Sequence, residues 1–175
     1  MRARSPLRLT RRQLLAGSVA LAASCAAPQP APVVDPNAHP LSGLKDFSGR
    51  LLAPPELTGR VTVLDFWASW CAPCRQSFRH LDQLYRTYVG DGLQVLGVSV
   101  DEDPRAGQAF LARARPRFAV GWDAAGTIRA RFGVAGLPTT FLLDQEARLV
   151  HRQEGFDAGA HRVLESHVRH LLGEV

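Results

Sequence analysis

Apolar positions along the chain alternate between short unbroken runs and longer stretches with helical spacing. Val61-Thr62-Val63-Leu64-Asp65-Phe66-Trp67 is almost entirely apolar, which predicts a strand buried on both faces. Beyond it, Phe78, Leu81, Tyr85 and Tyr88 recur at spacings of three and four, with Leu84 beside them. That spacing predicts an amphipathic helix ending near Gly90-Asp91-Gly92. The run at 93–100 (LQVLGVSV) predicts a second buried strand. Strand, helix and strand in succession make a βαβ unit, with parallel strands and a right-handed crossover.

The second half is more broken. Pro104 opens a further helix and Pro116 closes it. Residues 118–120 predict a short strand, and 124–132 a short helix with Ala125, Ile128 and Phe132 on one side. The runs 139–144 and 149–154 flank Gln145-Glu146-Ala147-Arg148 and predict an antiparallel hairpin. A last helix is expected over about 157–172, with Val163, Leu164, Val168 and Leu171 as its apolar face. A small hairpin over 41–52, turning at Ser48-Gly49, precedes all of these. The sum is an α/β fold: a central mixed β-sheet with helices on both faces.

Composition adds one domain of ordinary size. The chain has 175 residues, 46% hydrophobic and 21% charged, which is a globular balance. The net charge of +5 is misleading. Arg2, Arg4, Arg8, Arg11 and Arg12 all precede residue 25, and without them 16 basic residues face 16 acidic ones. A nucleic-acid-binding domain carries its own basic face, so that class loses its main support.

The first 24 residues have the form of an export signal. An Arg-rich stretch over 1–13 precedes the apolar LLAGSVALAA, and small residues follow. Thr10-Arg11-Arg12-Gln13-Leu14-Leu15 resembles the twin-arginine export motif; an Arg-rich start on an ordinary secretory signal is the other reading. Leu21-Ala22-Ala23-Ser24-Cys25 resembles a lipoprotein box, in which Cys25 would carry lipid. Plain cleavage after Ser24 or Ala26 is the alternative. Residues 25–40 hold Pro28, Pro30, Pro32, Pro36 and Pro40 and read as a Pro-rich tether. At about 3.1 Å per residue it would lift the domain, residues 41–175, up to roughly 45 Å from a membrane.

The chemistry concentrates in Trp67-Ala68-Ser69-Trp70-Cys71-Ala72-Pro73-Cys74-Arg75. Cys71 and Cys74 follow a buried strand and open a helix. There Cys71 faces unsatisfied backbone N–H groups and the positive end of the helix, which favour its thiolate, the nucleophilic form. Pro73 fits the first helical turn, where an N–H is not needed. Cys74, one turn in, is expected to be less exposed and able to attack a mixed disulfide. Three readings compete. Structural zinc needs four ligands, and no second Cys pair exists. A structural disulfide is compatible with export, yet it has no need of a helix N-terminus. Redox exchange uses every feature of the stretch. Asp65, an acid inside an apolar strand, should have a raised pKa if it is buried unpaired.

This stretch, together with Gly133-Val134-Ala135-Gly136-Leu137-Pro138-Thr139-Thr140-Phe141-Leu142-Leu143-Asp144, resembles the exported, membrane-tethered branch of the thioredoxin superfamily, the TlpA, ResA and CcmG (DsbE) type. The resemblance covers roughly 41–172 and implies a thioredoxin-like fold. It implies a cis peptide at Pro138, packed against the Cys pair. Such a proline leaves the backbone of Leu137 open to pair with an extended substrate segment. It gives Asp65 the role of relaying the proton of Cys74. Trp70, Ala72, Pro73 and Leu137 are the expected substrate-facing residues, with Trp70 as a surface platform and Trp67 as core. One departure stands out. Many TlpA and ResA type proteins have Asn at the position of Asp65 and Glu three residues after the second Cys, where this chain has Ser77.

The resemblance implies a protein-disulfide reductase outside the cytoplasm, with no cofactor and no metal. Its implied clients are apocytochrome c or copper-site assembly proteins, its electron donor is a membrane thiol carrier, and a lipid anchor links it to the membrane. A disulfide-forming oxidant, a thiol peroxidase and a non-enzymatic lipoprotein binding module are the alternatives. Arg75, after Cys74, reads either as a support for the thiolates or as a solvated helix residue, and the run Arg113-Ala114-Arg115-Pro116-Arg117 reads as a solvated helix end, with a docking patch as the alternative.

Overall fold

The computed structural model describes residues 39–52 and 55–173. The expected leader, Cys25 and the tether up to residue 38 lie outside the described residues. The elements run β1 (Val61–Trp67), α1 (Ala72–Tyr88), a 3₁₀ turn (Val89–Asp91), β2 (Leu93–Ser99), α2 (Pro104–Ala114), β3 (Ala119–Trp122), α3 (Thr127–Arg131), β4 (Thr139–Leu143), β5 (Leu149–Glu154) and α4 (Ala158–Leu171). The five strands form one sheet in the order β3-β2-β1-β4-β5. β1, β2 and β3 pair in parallel, while β4 is antiparallel to both β1 and β5. This is a thioredoxin-like mixed α/β fold.

β1 is the central strand, and all seven of its residues are buried. Side chains alternate across a strand, so β1 feeds two apolar layers. Val61, Val63 and Trp67 join the layer shared with α1, α2 and α4 through Phe78, Leu81, Phe110, Leu164 and Val168. Leu64 and Phe66 join the opposite layer, with Leu96, Val98, Phe141 and Ile128 of α3. The same parity turns Asp65 toward the first layer.

Where predicted elements and structure differ, local chemistry gives the reason. The N-terminal hairpin is reduced to one bridge, Lys45 with Leu51, and Lys45 also bridges Trp122 at the edge of β3. Gly121 permits this, because a Cβ there would lie 2.5 Å from Cγ of Leu44. β3 runs over Ala119–Trp122, displaced toward the C-terminus of the predicted 118–120. α2 ends at Ala114 because Arg115 adopts a left-handed conformation (φ 45°) just before Pro116. α3 starts at Thr127, later than predicted. Asp123 and Gly126 first make a turn: the Gly126 N–H donates to the Asp123 carbonyl, and the Asp123 carboxylate accepts from the Arg129 N–H at 2.8 Å.

The apolar face of α4 needs the largest correction. Leu164 and Val168 are fully buried, but Val163 is 46% exposed. His161 takes the third inward position, three residues before Leu164 and stacked against His80 and Phe156. Burial, and then the neighbouring His80, push the His161 pKa down to about 4, against a smaller upward pull from Asp157. The ring is therefore neutral at neutral pH and compatible with the layer.

Candidate redox site at the start of the first helix

The site is built where β1 hands the chain to α1. The Cys71 N–H donates to the Ala68 carbonyl at 3.1 Å, which turns the chain after the strand. Cys71 then caps α1 in an extended conformation (φ −78°, ψ 105°), and its Sγ accepts from the Cys74 N–H at 3.3 Å. Pro73 sits in the first turn. No acidic residue stands in that turn to oppose negative charge on sulfur. Cys71 and Cys74 form a disulfide, with Cys74 fully buried and Cys71 5% exposed. In the reduced protein, backbone N–H groups and the helix dipole both favour a thiolate at Cys71.

A groove of about 360 Å³ runs past Cys71. Trp70, Ala72 and Pro73 line one side, and Ala135, Gly136 and Leu137 the other. Trp70 is 68% exposed, whereas Trp67 is buried among Phe78 and Phe110. The Leu137–Pro138 peptide is cis, at the start of β4. The four expected substrate-facing residues thus line one groove beside the reactive sulfur.

Asp65 is fully buried and faces the helix that carries the cysteines. Its Oδ1 accepts from the Thr140 hydroxyl at 2.7 Å and meets the Ser77 hydroxyl at a longer 3.5 Å, while Oδ2 has no partner. Ser77 lies three residues after Cys74, one turn along the same face of α1. Burial raises the Asp65 pKa to about 7, against smaller opposing effects from the Thr140 and Ser77 hydrogen bonds. A carboxyl that loses its proton near neutrality suits proton exchange with a thiol. The departure at Ser77 also has a physical account: the small hydroxyl there contacts the acid supplied by the strand.

Residues 37–152 match the model of the AhpC/TSA family. The chain belongs to that family, in its ResA/DsbE/TlpA-like, thioredoxin-fold branch. Family relatives include the thiol-disulfide oxidoreductase ResA of Bacillus thuringiensis subsp. konkukian, 29% identical over 63% of this chain and 64% of the relative. The chain thus spans just under two thirds of that relative's length. The thiol:disulfide interchange protein HelX of Rhodobacter capsulatus is 37% identical over 55% of this chain and 53% of its own. Among solved structures, a Chlorobium tepidum protein described as thiol:disulfide interchange protein DsbE superposes with a TM-score of 0.65 at 38% identity. It covers 67% of this chain and 83% of that one.

Within this family domain, two supporting residues escape a reading of the sequence. Asp101, buried just after β2, accepts from the Ser69 N–H with both oxygens (3.1 Å each), from the Ser69 hydroxyl (2.8 Å) and from the Ser99 hydroxyl (2.9 Å). Its carbonyl accepts from Trp122 Nε1 at 2.7 Å. It therefore pins the loop two residues before Cys71. Arg129 braces the other wall of the groove by donating to the carbonyls of Val134 (3.0 Å) and Ala135 (3.3 Å). Neither role has a local signal, because each depends on contacts made through the fold.

Proposed function

We propose that the protein is an extracytoplasmic thiol–disulfide oxidoreductase that reduces protein disulfides. The observation that carries this reading is the Cys71–Cys74 disulfide at a helix N-terminus, beside a groove and on the helix that the buried acid Asp65 of β1 faces. In the reduced protein the Cys71 thiolate attacks a client disulfide. One client sulfur leaves as a thiolate, and a mixed disulfide forms. Cys74 gives its proton to Asp65, attacks the Cys71 sulfur, and releases the second client thiolate. The client gains two electrons, and the protein ends with the Cys71–Cys74 disulfide. A membrane thiol carrier then returns the protein to the dithiol form.

Kinship with ResA and DsbE supports thiol–disulfide exchange, and the Ala72-Pro73 pair between the cysteines supports the reducing direction. The leader and Pro-rich segment support export, with Cys25 as the lipid-bearing residue and clients such as apocytochrome c or copper-site assembly proteins near the membrane. Among the described residues, no helix is long and apolar enough to cross a membrane.

The test is the reduction potential of the couple, together with a Cys74→Ser variant. A potential near about −270 mV and accumulation of mixed disulfides on Cys71 are expected. A potential near about −120 mV reverses the direction and makes the protein an oxidant. Failure of Cys74→Ser to form any mixed disulfide overturns the exchange mechanism.

A further inference from the structure

A second cavity, of about 560 Å³, opens next to the reactive loop, between α1 and α2. Ser69 contributes to this cavity and Trp70 to the Cys71 groove, so adjacent residues line the two recesses. Arg75 and Arg79 on α1 and Arg113 on α2 surround the opening. Phe78 and Phe110 line it too, their rings 5.2 Å apart and both buried.

Several other arginines have carboxylate partners: Arg50 with Asp46, Arg105 with Asp103, Arg148 with Asp144, Arg152 with Glu154. The side chains of Arg75, Arg79 and Arg113 form no ion pair or hydrogen bond among the described residues. The one carboxylate lining the cavity, Asp82, is already engaged by Arg86 at 2.8 Å and by the Arg117 N–H at 2.7 Å. Three like charges therefore converge on a recess that Phe78 and Phe110 line in part, an arrangement that focuses a positive potential. Guanidinium groups also bind carboxylates in a fork geometry that lysines lack.

We propose that this cavity binds an acidic segment of the client protein, Asp- or Glu-bearing and continuous with the disulfide presented to Cys71. The inference rests on the disulfide-exchange reading above. The two recesses meet at the reactive loop, so a chain lying in the groove with its sulfur at Cys71 can run past Ser69 into the basic cavity. A recess of this size holds side chains, which favours a peptide over a flat lipid surface.

The test uses two synthetic peptides with the same intramolecular disulfide, one flanked by glutamates and the other by glutamines. Each is mixed at low ionic strength with the full protein, previously reduced by dithiothreitol and desalted, and the single-turnover rate is read. The Glu-flanked peptide should react about tenfold faster, and high salt should erase the difference. In Arg79→Gln/Arg113→Gln the ratio of the two rates should fall to about one. A ratio near one in the native protein overturns the proposal, as does a ratio that survives in the double variant. A native ratio near one, with sedimentation on phosphatidylglycerol vesicles that the double variant loses, assigns the cavity to an anionic lipid surface instead. If neither peptide is reduced, the reductase reading itself fails, an outcome distinct from equal reduction of both. Because the readout is a ratio, a partial loss of folded protein in the variant does not mimic the effect.

Discussion

The two faces of the sheet differ in kind. On the α3 side, Leu64, Phe66, Leu96, Val98, Phe141 and Leu143 pack with Ile128 and Val134. Phe66, Phe132 and Phe141 form a ring cluster there, with centroids 5.3–5.8 Å apart. On the α1 side β1 carries a buried acid, and the start of α1 brings a disulfide, among equally buried apolar groups. One layer contributes stability through packing. The other gives up part of that stability to hold a carboxyl with an unpartnered oxygen beside the helix that carries a reactive sulfur pair. A break in an otherwise apolar buried pattern is thus a pointer to chemistry, and the intact layer is the scaffold that tolerates it.

Substitutions can sharpen this contrast. The largest effect is expected from Phe66→Ala, which empties the ring cluster and should lower unfolding free energy by about 3–5 kcal/mol in urea titrations. The Cys71–Cys74 potential of the folded variant should stay where it was. A shift in potential matching the stability loss would show that the two layers are coupled.

Asp65→Asn should act in the opposite direction. With a folded pKa of about 7 against 3.8 for the free group, the native state binds the extra proton between those pH values. Stability contributed by the protonated form is full below about pH 4 and is lost as pH rises through 7. The variant should therefore match the native protein at low pH and exceed it above pH 7, by up to about 4 kcal/mol at 1.36 kcal/mol per pH unit. Equal stability of the two proteins at pH 8 would mean that the carboxylate is compensated, and the contrast between the layers would weaken. In the same variant, the pH dependence of disulfide exchange near neutrality should flatten.

Asp101→Asn is the smallest of the three. It replaces one acceptor oxygen with a donor facing the Ser69 and Ser99 donors, at a cost of about 2 kcal/mol. Mixed-disulfide formation at Cys71 should slow more than this stability loss explains, read as a rate measured on fully folded protein. An unchanged rate would reduce Asp101 to a purely structural support.

Several of these features are legible in the residues alone. The apolar run of β1, the spacing in α1 and the position of Cys71 between them follow from periodicity, because neighbours in sequence share one element. Asp65 stands out for the same reason, as an acid in a strand with no polar alternation. α4 shows where such reading fails. Val163 and Leu164 are equally apolar, and only packing decides that Leu164 faces inward while His161 replaces Val163 on the buried side. The start of α3 failed likewise, since the turn at Asp123 depends on its bond to Arg129.

The sequence by itself determined the order of the elements, the dithiol at a helix start and the buried acid six residues before it. Each is a local pattern, fixed by side-chain periodicity and backbone preference. Tertiary structure decided what surrounds them. The grip of Asp101 on Ser69 spans 32 residues, the bond of Thr140 to Asp65 spans 75, and the basic cavity gathers arginines from two helices. Such contacts exist only after the crossover and the hairpin have brought distant strands side by side, so no local spacing encodes them.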